Sequence, residues 1–341
     1  MDKTAYVIEA YAPYGGAYMA YHVARILHIH FGYRVCVVTS SSTPAGLWKR
    51  SIFNFSISSR SIFKYDIEFP CVSLADCERL IRDNDVLISN PSYSSRQLGL
   101  RCRGLKIMYA QGFTTFKSLD CFFDHYVAVS GFVQHVLRQT YGISAPVIPA
   151  FLADMERLQP PAPWVDSAAD WESRPSFSLA LNLKGDPVQQ MLLLNELRSK
   201  LKAKDQTLEA SIDWVGALER GRERVPRKQF LERLASVRYL LTLSLTEGLG
   251  LIPLEAMALG TVVLGFDGFG GQEYMVPGTN CAVVACPNID AAAAAMIRVM
   301  RDDAFAKQLV NNARQTASSY TYESFSKAWI KQFDTILSAV P

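Results

Sequence analysis

The chain has 341 residues, 49% hydrophobic and 20% charged, with a formal net charge of +3. At roughly 150 residues per domain this is two domains' worth of globular material. It excludes a disordered chain, a collagen-like chain and a small disulfide scaffold, and charge so near balance argues against a nucleic-acid binder.

The first 40 residues read as a complete β-loop-α-β unit. Strand Tyr6–Glu9 leads into the loop Ala12-Pro13-Tyr14-Gly15-Gly16, and a helix follows with Met19, Val23, Ile26 and Leu27 at helical spacing. Val35–Thr39 is a β-branched second strand. The segment 41–69 mixes serines, aromatics and the cations Lys49, Arg50, Arg60 and Lys64, and its sequence fixes no element. Strands are then expected at Asp85–Ile88, Lys106–Ala110 and Tyr126–Val129. A helix over Phe132–Tyr141 ends at Gly142, and a last short strand is expected at Pro146–Pro149.

Residues 153–175, with Gln159-Pro160-Pro161-Ala162-Pro163, read as a linker. Alternation resumes with strands at Phe177–Leu181, Ser211–Val215, Tyr239–Leu243, Val262–Phe266 and Ala282–Val284. Helices follow over 290–301, 303–318 and 322–337. Strands alternating with helices predict parallel sheets with helices on both faces, hence an α/β chain of two doubly wound, Rossmann-like domains. Such a pair would place a ligand cleft at the carboxyl ends of both sheets.

Charge divides unevenly. Residues 1–150 carry 15 Lys/Arg against 10 Asp/Glu (+5), and the remainder 20 against 22 (−2). A basic first half suits an anionic ligand or an anionic membrane surface, and scattered solvated side chains explain it equally well. The seven cysteines (Cys36, Cys71, Cys77, Cys102, Cys121, Cys281, Cys286) form no Cys-x-x-Cys pair and read as small hydrophobes of a reducing compartment. No basic leader precedes the first strand, and no stretch approaches the ~18 apolar residues of a membrane span. The expectation is a soluble cytoplasmic protein. Peripheral attachment at the inner membrane face is kept open by the basic first half.

The strongest signal is the string from Ser244 to Gly260, which contains Glu247-Gly248-Leu249-Gly250-Leu251-Ile252-Pro253-Leu254-Glu255. A strand enters a loop with two glycines, and Pro253 suits the first position of a helix that Gly260 can end. The amides of Gly250, Leu251 and Ile252 then lie at a helix N-terminus, which favours a diphosphate. Glu247 and Glu255 bracket that site with seven residues between. Carboxylates beside phosphates need neutral hydroxyls to accept from, and vicinal diols of a sugar and a ribose supply them. The bland alternative makes Glu255 a first-turn dipole partner and Glu247 a solvated loop residue.

Here the sequence resembles the retaining GT-B glycosyltransferases, in particular glycosyltransferase family four. That family has Glu-x7-Glu inside Glu-Gly-Phe-Gly-Leu-x-x-x-Glu-Ala-x-Ala-x-Gly. This chain has Leu249 for the usual Phe, and a Gly270-Gly271-Gln272-Glu273 turn one residue shorter than the family's. The resemblance implies that Glu247 contacts the transferred sugar and Glu255 the ribose of the donor nucleotide. Lys184, in Leu183-Lys184-Gly185-Asp186-Pro187, resembles the family's phosphate-neutralising lysine. No arginine stands at its expected place, Asn182 being the nearest residue. Asp186 and Pro187 form a helix start of their own.

Gly15-Gly16 resembles the family's N-domain glycine loop, where backbone approaches donor phosphate and acceptor. Gln111 stands near the family's histidine and, unable to act as a base, reads as a hydrogen-bonding residue for acceptor or sugar. Gly216 falls in 212–226, expected to border the base with Trp214, Arg220, Arg222 and Arg224. The five histidines show no metal spacing and there is no Asp-x-Asp, in keeping with the metal-independent habit of the family; no cofactor is expected.

The expectation is therefore a GT-B enzyme with domains at 1–152 (plus the terminal helix, 319–341) and 176–318. It would take a nucleotide-diphosphate-sugar donor and a carbohydrate or lipid-linked acceptor, in glycan or polysaccharide biosynthesis. The catalytic candidates are Glu247, Lys184 and Gln111. The donor-binding candidates are Gly15, Gly16, Asn182, Lys184, Gly216, Glu247, Gly248, Leu249, Gly250, Leu251, Ile252 and Glu255. A sugar-nucleotide-binding module, an inactive partner subunit, a phosphorylase or an epimerase of the same fold remain alternatives.

Overall fold

A computed structural model describes residues 3–12, 14–39, 63, 65–113, 118–153, 171–182, 184–217 and 226–338. Lys49, Arg50, Arg60, Lys64, Arg220, Arg222 and Arg224 lie outside the described residues. The chain divides into two units, residues 1–151 with 321–341 and residues 152–320.

The first unit contains β1 (Thr4–Ile8), α1 (Gly15–Phe31), β2 (Arg34–Thr39), β3 (Cys71–Ser73) and α2 (Leu74–Leu80). They are followed by β4 (Val86–Ser89), α3 (Leu98–Arg101), β5 (Leu105–Ala110), β6 (His125–Ala128) and α4 (Gly131–Tyr141). The six strands run in the order β3-β2-β1-β4-β5-β6, all pairings parallel. This is the doubly wound order, in which the chain reverses direction across the sheet between β1 and β4. The central strands are buried on both faces, as the runs Val35–Val38 and Val86–Ile88 foreshadow. The short strand expected at Pro146–Pro149 is a single bridge between Ala128 and Val147. Prolines on both sides of Val147-Ile148 remove the amides that would extend it.

The second unit contains β7 (Ser178–Asn182), α5 (Pro187–Lys204), α6 (Gln206–Ser211), β8 (Asp213–Ala217), α7 (Arg227–Ala235) and β9 (Tyr239–Thr242). Next come α8 (Leu251–Ala258), β10 (Val262–Phe266), β11 (Ala282–Val284), α9 (Ile289–Arg301) and α10 (Asp303–Ala317). Its sheet order is β11-β10-β9-β7-β8, again parallel throughout. Counted along the unit this is the 2-1-3-4-5 order, with its switch point between β7 and β9. Leu179, Leu181, Tyr239, Leu241, Val262 and Leu264 from the sheet pack against Leu197, Leu201, Met296 and Val299 of α5 and α9.

Trp171 and Arg174, from the stretch that composition assigns to a linker, are buried in this unit. Trp171 Nε1 donates to Asp303 Oδ1 at 3.0 Å, and Arg174 donates to the carbonyls of Val237, Leu259 and Gly260. The last helix, α11 (Tyr322–Ser338), belongs to the first unit. There Phe325, Trp329 and Phe333 are buried at i, i+4, i+8, and Trp329 meets Tyr109 edge-on at 5.1 Å. No helix of the described residues is long and apolar enough to cross a membrane.

Candidate functional site

The switch point of the second sheet is where its candidate residues converge. β7 ends at Asn182, which is buried, and its Nδ2 donates across the sheet to Thr242 Oγ1 at 3.3 Å, joining the ends of β7 and β9. Lys184 follows β7, and the loop Leu243–Gly250 follows β9. Their side chains meet: Lys184 Nζ lies 2.5 Å from Glu247 Oε2. Glu247 is buried, while the lysine is 59% exposed. Asp186 Oδ1 accepts from the Gln189 amide at 2.8 Å, so α5 starts with Asp186 as N-cap and Pro187 at its first position, as the sequence predicts.

The backbone around Glu247 is clamped. Its N–H donates to the Gly268 carbonyl (2.8 Å), and its carbonyl accepts from the Gly270 N–H (3.1 Å). Gly270 N–H also donates to Gly268 O at 2.9 Å, closing a three-residue turn centred on Phe269 at φ 66°, ψ −56°. That is the rare, strained form of γ-turn, and a bulky residue holds it only where its surroundings enforce it. Gly268 and Gly270 leave no room for side chains. A Cβ on Gly268 would stand 2.9 Å from Glu247 Cγ, and one on Gly270 would stand 2.2 Å from the Glu247 carbonyl.

α8 begins two residues earlier than the sequence suggests. Gly250 is its N-cap in the left-handed region (φ 88°), Leu251 its first residue and Pro253 its third. The glycine accounts for the shift, because a left-handed N-cap turns the chain into the helix at once. Pro253 still costs no hydrogen bond, since amides of the first turn have no helical acceptor. The amides of Leu251 and Ile252 thus open the helix, and both residues are half-buried. At the other end Gly260 (φ 73°) makes the left-handed stop. Its N–H reaches Met257 O, and the Thr261 N–H reaches Ala256 O at 2.8 Å.

Glu255 lies on α8, buried, and Arg227 Nη2 at the start of α7 donates to its Oε1 at 2.6 Å. Sequence reasoning missed Arg227 because the pair spans 28 residues and a strand. Its only trace is that it follows the arginine-rich stretch 220–224. Tyr274 was missed too. Its hydroxyl donates to the Gly250 carbonyl at 2.5 Å, and burial, then the charge of Glu247, pushes that hydroxyl well above its ordinary pKa. It is a fixed donor to the N-cap of α8.

Gly248, Leu249 and Gly250 line the loop between the two carboxylates, with Leu249 buried. Gly216 is in β8, but Trp214 packs against the core under the Arg198 guanidinium at 4.9 Å. In the first unit, Gly15 and Gly16 open α1, and Gln111 follows β5. Gln111 Nε2 donates to the Gly16 carbonyl at 2.7 Å, and a Cβ on Gly16 would meet Gln111 Oε1 at 2.6 Å. These three residues are therefore one cluster at the carboxyl end of the first sheet. Among the described residues no group of three His, Cys, Asp or Glu is placed to hold a metal ion.

Residues 195–316 match the family model described as "Glycosyl transferases group 1". No curated protein matches the chain. Among solved structures, the glycosyltransferase of Rickettsia africae ESF-5 is similar at 15% identity and TM-score 0.65, over 99% of both chains. HepE of Anabaena, solved in complex with UDP, is similar at 14% and 0.64, over 99% of this chain and all of that one. Sucrose-phosphate synthase of Thermosynechococcus elongatus is similar at 12% and 0.61, over 99% of this chain and all of that one. The chain has the GT-B fold of two Rossmann-like domains, and the matched segment supports a glycosyltransferase.

Proposed function

We propose that the chain is a retaining glycosyltransferase that takes a nucleotide-diphosphate-sugar as donor, with the donor held by the second unit. The observation that carries this reading is the convergence of Lys184, Glu247, the N-terminus of α8 and Glu255 at one switch point. An ammonium and helix amides suit a diphosphate, and a carboxylate on either side suits two rings of hydroxyls. HepE, which shares the fold, is solved with UDP and with UDP and glucose, which supports a uridine nucleotide as the first donor to try.

In this reading Lys184 leaves Glu247 for the diphosphate, and Glu247 accepts from hydroxyls of the transferred sugar. The leaving group departs as a nucleoside diphosphate, so the main catalytic task is to stabilise its growing negative charge. Lys184 and the Leu251 and Ile252 amides supply that stabilisation without a metal ion. Of the two carboxylates, Glu255 is held by Arg227, and Glu247, once Lys184 leaves it, by sugar hydroxyls, so neither is assigned as a general base. Same-face attack, with the leaving phosphate taking the acceptor's proton, fits the residues present. Gln111 is assigned to the acceptor or the sugar, where it can donate and accept but not take a proton.

The test is release of nucleoside diphosphate and transfer of labelled sugar from a panel of UDP-, GDP- and ADP-sugars to carbohydrate and lipid-linked acceptors. Glu247→Ala is expected to lower transfer about a hundredfold or more with the protein still folded. Near-normal transfer by that variant overturns the assignment. Donor-induced thermal stabilisation without turnover would point instead to a binding module.

A further inference from the structure

The two carboxylate oxygens of Glu255 are in different states. Oε1 accepts from Arg227 Nη2 at 2.6 Å, while Oε2 is buried and has no hydrogen-bond partner among the described residues. The side chains of the pair are only 12% and 5% exposed. A bare anionic oxygen in such a place is costly, and native proteins that keep one generally have a donor to fill it. Arg227 is itself fixed. The same Nη2 donates to the Ala153 carbonyl at 3.3 Å, and the guanidinium carbon lies 5.6 Å over the ring of Phe230, three residues on in α7.

We infer that Arg227 is a positioning residue. By locking Oε1 it fixes the Glu255 carboxylate so that Oε2 faces a hydroxyl donor on the bound nucleotide. This rests on the reading of Glu255 as the ribose carboxylate. It adds that one oxygen, held from behind by an arginine, does the reading. It also assigns Arg227 a place away from the phosphates: its charge is matched by Glu255, leaving Lys184, among the described residues, as the phosphate's cation. The group that Oε2 takes must be a neutral donor, because a phosphate oxygen beside a buried carboxylate is repelled.

The experiment uses the full chain and whichever of UDP, GDP, ADP and CDP raises its melting temperature most. Affinities for that nucleotide and its 2′,3′-dideoxy analogue are measured for the wild type, Arg227→Met and Arg227→Lys. The wild type is expected to prefer the ribonucleotide at least tenfold. Arg227→Met is expected to lose most of that preference, since a carboxylate free to turn no longer meets the diol. Arg227→Lys, whose ammonium can reach the same oxygen, restores part of it. A role confined to stability would lower the melting temperature and leave the preference intact.

If Arg227→Met retains the wild-type preference, the positioning role is overturned while the diol reading stands. If Arg227→Met does not fold, Arg227→Lys and the neutralised pair Arg227→Met with Glu255→Gln decide. Full preference in that neutralised pair overturns the inference. A wild type that does not discriminate, or that binds none of the four, overturns the ribose reading and this inference together.

Discussion

Lys184 and Glu247, 63 residues apart, are joined by a 2.5 Å contact between Nζ and Oε2 at the switch point of the second sheet. The pair is unequal: the carboxylate is buried and the ammonium mostly in water. Because the ammonium is mostly in water, solvent or a phosphate can take its place, but removing it leaves the buried Glu247 charge unmatched, at about 1–3 kcal/mol. Replacing Lys184 by Met should therefore lower the melting temperature by several degrees. It should raise the KM for donor about tenfold or more, because the diphosphate loses its cation. An unchanged KM would remove Lys184 from the phosphate site.

Gly270 tests the clamp on Glu247. A methyl group added there would stand 2.2 Å from the Glu247 carbonyl and 2.4 Å from that of Gly248. Backbone must move, and a displacement near 1 Å at a reacting centre costs about a hundredfold in rate. Gly270→Ala should lose transfer on that scale while its circular dichroism stays that of an α/β protein. Wild-type turnover would show that the strained turn at Phe269 does not govern Glu247.

Much of this was legible in the sequence. The strands Val262–Phe266 and Ala282–Val284 fall where β-branched runs place them, and Asp186, Pro187 and Gly260 start and stop their helices as their chemistry dictates. The two glutamates could be marked from their spacing around glycines. Arg227 and Tyr274 could not, because each acts by a contact across 24 or more residues that only the folded sheet creates. Trp171 and Arg174 were hidden for another reason. They end a proline-rich stretch whose composition resembles a solvated linker, yet they close the core of the second unit.

Arg174 yields a stability prediction. Its guanidinium, 6% exposed, donates to the carbonyls of Val237, Leu259 and Gly260 and to Thr261 Oγ1, four acceptors around the C-terminus of α8. The cation also suits the negative end of that helix. Arg174→Met leaves several of these acceptors bare, at about 1–3 kcal/mol each before relaxation. A net loss of about 3–5 kcal/mol is expected, seen as a melting temperature lower by roughly 10 °C. A shift under about 2 °C would mean that the carbonyls find other donors.

His22 sets a pH dependence in the first unit. It is enclosed by Tyr18, Tyr21, Phe151 and Tyr322 at 4.5–5.2 Å between ring centroids, and neither ring nitrogen has a hydrogen-bond partner among the described residues. Burial, reinforced by the charge of Arg25 and opposed by Asp66, lowers its pKa from 6.5 to about 3. The folded pKa lies below the unfolded one, so between pH 6.5 and about 3 the unfolded chain binds the extra proton. Stability from this group is therefore intact above pH 6.5 and falls as pH drops through that window, by about 1.4 kcal/mol per unit. At pH 5 the loss is about 2 kcal/mol relative to pH 7. His22→Leu removes the titration and two bare ring nitrogens while keeping the volume apolar. Its urea midpoint should match or exceed that of the wild type at pH 7, and the gap should widen toward pH 5. Parallel midpoint curves for the two proteins would show that His22 is hydrated or protonated in the folded state, and that the aromatic enclosure does not exclude charge.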